Sequence, residues 1–124
     1  MNEQYEPQLS DNARETLEAR YLRKDESGQV TETPGELLRR VARCVASAET
    51  SLGAEPEEVE KIEKDFLQSM LRGEFFPNSP TLMNAGRKLG MLSACFVLPV
   101  DDSIDGIFES VKNTAQIQKA GGGT

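Results

Sequence analysis

Apolar residues recur along this chain in two rhythms, and the change between them divides it. From residue 10 to residue 73 they return every three or four positions, the spacing of one helical face. Ala13, Leu17 and Tyr21 form the first stripe, and Ser10-Asp11 ahead of them supply a cap, which predicts a helix over about 12–22. A charged turn follows, Arg23-Lys24-Asp25-Glu26-Ser27-Gly28. The next start is better marked. Thr33 caps with its hydroxyl, Pro34 fits the first helical position, and Glu36 closes a capping box. Leu37, Leu38, Val41, Ala42, Val45 and Ala48 then share one face. A third helix is predicted from Pro56 to Arg72, with Val59, Ile62, Phe66 and Met70 inward, Leu67 and Leu71 flanking, and Gly73 as C-cap. Residues 1–9 are polar and read as a flexible lead-in.

The rhythm changes at Phe75. Phe75-Phe76-Pro77-Asn78-Ser79-Pro80-Thr81 cannot be a helix interior, because two prolines lack donors and restrict their predecessors. It reads as a turn entering a sheet. Asn84-Ala85-Gly86 is a further turn signal. Leu92-Ser93-Ala94-Cys95-Phe96-Val97-Leu98 is short, apolar and bounded by Pro99, the pattern of a buried strand. Alternation sets Ser93, Cys95 and Val97 on one face and Leu92, Ala94, Phe96 and Leu98 on the other. Asp101-Asp102-Ser103 then cap a last helix with the stripe Ile104, Ile107, Phe108, Val111 and Ala115. No internal repeat is present.

Composition narrows the class. Hydrophobic residues make up 37% and charged residues 28% of the 124, enough for a modest core. A net charge of -7 argues against coating nucleic acid, which wants clustered Lys and Arg. Residues 1–73 carry 16 acids and 10 bases, and residues 74–124 only 5 and 4. The first part therefore reads as solvated helices and the second as more buried. No apolar run approaches the roughly 20 residues of a membrane span, and Met1-Asn2-Glu3-Gln4 lacks signal-peptide features. Two cysteines make no disulfide framework, so a reducing cytoplasm is the default, and a Cys44–Cys95 bridge is disfavoured. With no histidine, a self-contained zinc site lacks ligands.

Three segments carry a family signal: Pro77-Asn78-Ser79-Pro80-Thr81-Leu82-Met83-Asn84-Ala85-Gly86, then Leu92 to Val100, then Lys119-Ala120-Gly121-Gly122-Gly123-Thr124. In this order and spacing they resemble the large catalytic chain of adenosylcobalamin-dependent (class II) ribonucleotide reductases. Arg20-Tyr21-Leu22, Glu32-Thr33-Pro34 and Arg40-Val41-Ala42 are similar to that family's N-terminal region. The resemblance implies that Cys95 is an active-site cysteine which, with a partner later in the family's chain, gives two electrons to the substrate 2′ carbon. It implies substrate contacts at Ser79, Ala94, Cys95 and Gly121, and a deoxynucleotide effector site beginning at Asp102, Ser103 and Ile104. It also implies adenosylcobalamin held mainly by later polypeptide, a ribonucleotide substrate, a thioredoxin-type reductant, and a homodimer contact through the last helix.

Each residue also has a plainer reading. Cys95 taken alone is a buried small hydrophobe, and Cys44 a core or half-buried thiol. Asn78-Ser79-Pro80-Thr81 is a turn that offers a hydroxyl and backbone N–H groups. Asp102 is a helix N-cap, and the apolar stripe of the last helix is core. The glycines form a flexible tail, or a loop whose amides approach phosphate closely.

The resulting fold class is α/β: a helical N-terminal domain over 10–75, then over 76–124 the first strand and helix of a ten-stranded α/β barrel, incomplete here. The chain alone is expected to be inactive, its ending inside the third segment pointing to a piece completed by further polypeptide. Two rival readings predict different behaviour. A non-catalytic nucleotide-binding fragment binds deoxynucleotides unaided, whereas a helical interaction module ignores nucleotides and tolerates Cys95→Ser. A lone barrel strand leaves its edge unpaired, so residues 76–124 in isolation are expected to be poorly ordered or to aggregate. Strong hydrogen-exchange protection throughout 92–118 in the lone, monomeric chain would contradict this.

Overall fold

The computed structural model describes residues 6–124, so the part of the expected lead-in over 1–5 lies outside the described residues. The chain forms two compact units, one ending at Pro77 and the other Asn78–Thr124. Among the described residues there are six helices and no strand.

The first unit is built on α1 (Asp11–Arg20), α2 (Pro34–Ala46), α3 (Ala48–Ser51) and α4 (Pro56–Leu71). Ser10 caps α1 by accepting from the Ala13 amide at 3.2 Å. Ala13 and Leu17 are half-buried, but no residue of α1 is fully buried. The core lies on α2, where the capping box forms as the residues require. Thr33 Oγ1 accepts from the Glu36 amide, and Glu36 Oε2 accepts from the Thr33 amide. Leu37, Leu38, Val41, Ala42 and Ala46 are buried, and α2 packs chiefly on α4, whose own buried residues are Leu67 and Met70. The helix breaks at Ser47, so the predicted stripe does not run on through Val45 and Ala48; both are exposed, and Ala46 is buried instead. In α4 Met70 is buried and Val59 and Ile62 are half-buried as expected, but Phe66 and the flanking Leu67 exchange places. Leu67 faces inward and Phe66 outward, with half-buried Glu63 paired to Arg43 at 3.3 Å.

The charged turn folds back on itself. Lys24 and Val30 make an antiparallel bridge, and Asp25 Oδ1 accepts from the Ser27 hydroxyl and from the Ser27 and Gln29 amides. These bonds, the Ser27 hydroxyl first, hold the Asp25 carboxyl below its ordinary value. One buried carboxylate ties this turn to the core. Glu32 receives Arg40 Nε at 2.7 Å and Nη2 at 3.1 Å, and accepts the Arg23 amide at 3.1 Å. The lead-in is also held. Glu6 accepts from the Thr33 hydroxyl at 2.6 Å and the Gly35 amide at 3.2 Å, and Pro7 is buried, so the expected looseness does not extend to residues 6 and 7.

The second unit has α5 (Ser79–Asn84), α6 (Ile104–Lys119) and irregular backbone between them. The turn expected at Asn78–Thr81 is the start of α5. Asn78 caps it, and Pro80 sits in the first turn, where its missing N–H costs nothing. The predicted strand over 92–98 is not formed. A strand exists only as part of a ladder, and here the extended backbone has one parallel bridge, Cys95 to Gly123. The alternation survives in exposure: Ser93, Cys95 and Val97 face solvent, while Leu92, Ala94, Phe96 and Leu98 are half-buried. The greater burial expected of this part is not observed, since only Thr81 and Ala85 are buried. Most unlike the expectation is α6. Its half-buried side is Gly106, Ser110, Asn113, Thr114 and Ile117, whereas Ile104, Ile107, Phe108 and Val111 are exposed. No helix among the described residues is long and apolar enough to cross a membrane.

Removing one member of a buried ion pair strands the other charge. Glu32→Ala is therefore expected to destabilise the first unit by about 3 kcal/mol, read as a lowered urea midpoint. Glu60→Ala, which removes the fully exposed partner of Lys64, is expected to leave the midpoint unchanged.

Candidate functional site

The second unit gathers most of the chemically suggestive residues, and short-range chemistry explains how. In α5 the Asn78 cap accepts the Thr81 amide at 3.0 Å. The Thr81 hydroxyl lies 2.6 Å from Asn78 Oδ1 and 2.9 Å from the Leu92 carbonyl, so its one proton is shared between two acceptors. One helical turn on, Asn84 Nδ2 donates to the Met91 carbonyl at 3.0 Å. Two side chains at i and i+3 thus grip consecutive carbonyls immediately before Ser93-Ala94-Cys95.

The other side of this segment is fixed by the end of α6. Gly121 takes φ +93°, a left-handed conformation that ends the helix at little strain, and the Gly122 amide donates back to the Ile117 carbonyl at 3.0 Å. Gly123 then donates to the Ala94 carbonyl at 2.8 Å and accepts from the Phe96 amide at 2.9 Å. Gly122 has no room for a side chain. A Cβ there would lie 2.7 Å from Ile117 Cγ2 and 3.0 Å from Phe96 Cε2.

The Ala94-Cys95 pair therefore lies beside the glycine loop that contains Gly121, and Ser79 opens the helix whose Thr81 holds Leu92. Asp102, Ser103 and Ile104 are not brought to this cluster. They stand at the opposite end of α6, whose 16 residues span roughly 24 Å from Gly121. Ser103, rather than Asp102, is the N-cap: its hydroxyl accepts from the Gly106 amide at 3.0 Å. Gly106 is required by that cap, since a Cβ would lie 2.6 Å from Asp101 Cβ.

The cysteines differ. Cys44 is half-buried in α2 and Cys95 is exposed; both are free. The plain reading of Cys95 as a buried hydrophobe is thus overturned, because without a full ladder its face of the segment stays open. Among the described residues no three His, Cys, Asp or Glu side chains converge to hold a metal ion. Two residues with structural leverage on the segment, Thr81 and Asn84, were not singled out by sequence reasoning. The signal was their i, i+3 spacing inside the Pro77–Gly86 motif.

A family model described as "Ribonucleotide reductase, all-alpha domain" matches residues 7–90. The chain belongs to the ribonucleotide reductase family. It is 41% identical to the vitamin B12-dependent ribonucleoside-diphosphate reductase of Thermoplasma acidophilum, over 94% of this chain and 22% of that protein. It is 47% identical to the protein of the same name from Mycobacterium tuberculosis, over 96% of this chain and 17% of that protein. Similarity extends to ribonucleoside-diphosphate reductase large chain 2 of Saccharomyces cerevisiae, at 38% over 87% of this chain and 11% of that one. The chain thus spans about a fifth of the length of the first two relatives.

Gly122→Ala is expected to force Phe96 and Ile117 apart and to open the return of the glycine loop. The check is amide hydrogen exchange. Protection at Phe96 and Gly123 should be lost while the middle of α6 keeps its own.

Proposed function

We propose that this chain is the N-terminal part of a ribonucleotide reductase that converts ribonucleotides to 2′-deoxyribonucleotides, and that Cys95 is one of the two thiols delivering the electrons. The observation that carries this reading is the Cys95 thiol itself: free, exposed, and on backbone hydrogen-bonded from both neighbours to Gly123. Replacing a 2′ hydroxyl by hydrogen is a two-electron reduction. The carbon–oxygen bond breaks, the hydroxyl leaves as water, and a carbon–hydrogen bond forms. Cys95 and a second thiol, from polypeptide outside this chain, meanwhile close to a disulfide, supplying two electrons and two protons. A thioredoxin-type reductant then reopens the disulfide.

In this reading Ser79, the Ala94-Cys95 backbone and Gly121 contact the substrate through its phosphates, with glycine permitting close approach of the amides. Asp102, Ser103 and Ile104 begin a deoxynucleotide effector site, and the exposed apolar face of α6 enters a homodimer contact. The extended 92–98 segment and α6 are the first strand and helix of a ten-stranded α/β barrel. Support comes from their order: an extended segment, a helix, then a parallel return at Gly123, as a parallel sheet begins. The working compartment is the cytoplasm.

The Thermoplasma acidophilum and Mycobacterium tuberculosis relatives are named vitamin B12-dependent, and adenosylcobalamin would supply the radical that initiates the chemistry. A corrin brings its own ring-held cobalt, so a side chain would add at most an axial ligand, and this chain has no histidine to offer. In this reading the corrin seat lies mainly in further polypeptide.

The test combines this chain with that remaining polypeptide, adenosylcobalamin, a ribonucleoside diphosphate and a dithiol. Deoxyribonucleotide should accumulate only when both polypeptides are present, and Cys95→Ser should reduce steady-state turnover to background. Undiminished turnover by Cys95→Ser would sink the proposal. Deoxynucleotide binding by this chain alone, with no turnover on reconstitution, would favour a non-catalytic nucleotide-binding fragment.

A further inference from the structure

The thiol at position 95 is only as well placed as the backbone beneath it, and that backbone is not held by a sheet. Among the described residues its one ladder contact is the bridge to Gly123, on the C-terminal side of Ser93. On the N-terminal side the holding groups are side chains. Thr81 reaches the Leu92 carbonyl and Asn84 the Met91 carbonyl, both from α5. Thr81 is the only polar residue of this unit that is buried, at 8% exposure, and Ala85 beside it is fully buried, so the anchor is packed as well as hydrogen-bonded.

We infer that Thr81 and Asn84 are positioning residues for Cys95: they fix the height of the 91–95 backbone over α5 and so the place of the sulfur relative to the ribose carbon. This rests on the reading of Cys95 as a reductant thiol. The physical reason is tolerance. A sulfur must meet both a second thiol and its substrate within a fraction of an ångström, and a misplacement of about 1 Å can cost on the order of a hundredfold in rate. Neither side chain need touch the nucleotide. Thr81 also leaves its helix cap intact when its hydroxyl is removed, because Asn78 Oδ1 still accepts the Thr81 amide. The Leu92 contact can therefore be deleted without unmaking α5.

The experiment uses the complete enzyme assembled from this chain and the remaining polypeptide, with Thr81→Val, Thr81→Ser, Asn84→Leu and Cys95→Ser compared. Thr81→Val is expected to lower kcat roughly tenfold to a hundredfold with KM little changed, and Thr81→Ser, which restores the donor, to recover most of the loss. A purely structural residue would instead lower the active fraction, leaving kcat per folded enzyme unaltered. Amide exchange in the 124-residue chain gives a second readout. Protection at Phe96 should fall in Thr81→Val and return in Thr81→Ser. Should Thr81→Val fail to fold, Asn84→Leu, at a half-buried position, is expected to show the same kcat loss and decides the matter. Wild-type kcat per folded enzyme in these variants, or unaltered Phe96 protection, overturns the inference. If those variants are impaired while Cys95→Ser remains active, the electron-donor reading has failed instead.

Discussion

Residues 95 and 123 are paired by two backbone hydrogen bonds, and the architecture of the second unit follows from that pairing. The bonds close an excursion that includes all of α6, so they work against the entropy of a long loop. Each contributes only about 1 kcal/mol net, too little to hold such a closure alone. Packing adds to them, since the bare Cα of Gly122 admits the Phe96 ring and the Ile117 side chain. Extended backbone from 95 to 102 covers at most roughly 25 Å, about the length of α6, so the chain climbs one helix length and descends again. The N-terminus of α6 is thereby set far from the thiol, and the glycine loop beside it. Any role for Asp102, Ser103 and Ile104 must act along a helix, and any role for Gly121 can be local.

The amphipathicity of α6 points the opposite way from its packing. Small and polar groups occupy its half-buried side, while a ribbon of Ile, Phe and Val faces solvent. Single exposed apolar residues are ordinary; a contiguous stripe along a helix marks a surface meant to be covered. The first unit shows no such inversion, because α2 turns its apolar face onto α4. The two units therefore differ in how far this chain alone satisfies them. The first has a closed core and a buried, neutralised carboxylate, whereas the second has local order with its apolar surface outside.

This contrast explains what could be read from the residues. The cap of α2 and the first part of its face were legible to the residue, since Thr33, Pro34 and Glu36 determine a start by local chemistry and Leu37, Leu38 and Val41 fill the core beside them. The rest of the stripes was not, because a break at Ser47 and the exchange of Phe66 for its neighbour Leu67 are decided by packing. At 92–98 the pattern of alternating faces was readable and the strand was not: alternation belongs to the segment, but a ladder belongs to its partner. The inward assignment of the Ile104–Val111 stripe failed for the same reason. Of the candidate site, the nearness of the Pro77–Gly86, Leu92–Leu98 and glycine segments was implied by the family resemblance that those motifs carry. The grips that join the first two were missed, since Thr81 and Asn84 look locally like turn residues.

The contact of Glu6 with Thr33 and Gly35 bears on where this polypeptide can be trimmed. The carboxylate sits on the opening turn of the helix that carries most of the core, and the next residue, Pro7, is buried. A recombinant version begun at residue 10, the first point where helical periodicity is visible, would discard an anionic clasp from the positive end of α2. Expression boundaries and affinity tags are therefore better placed ahead of Glu6, with enough spacer to leave that clasp undisturbed.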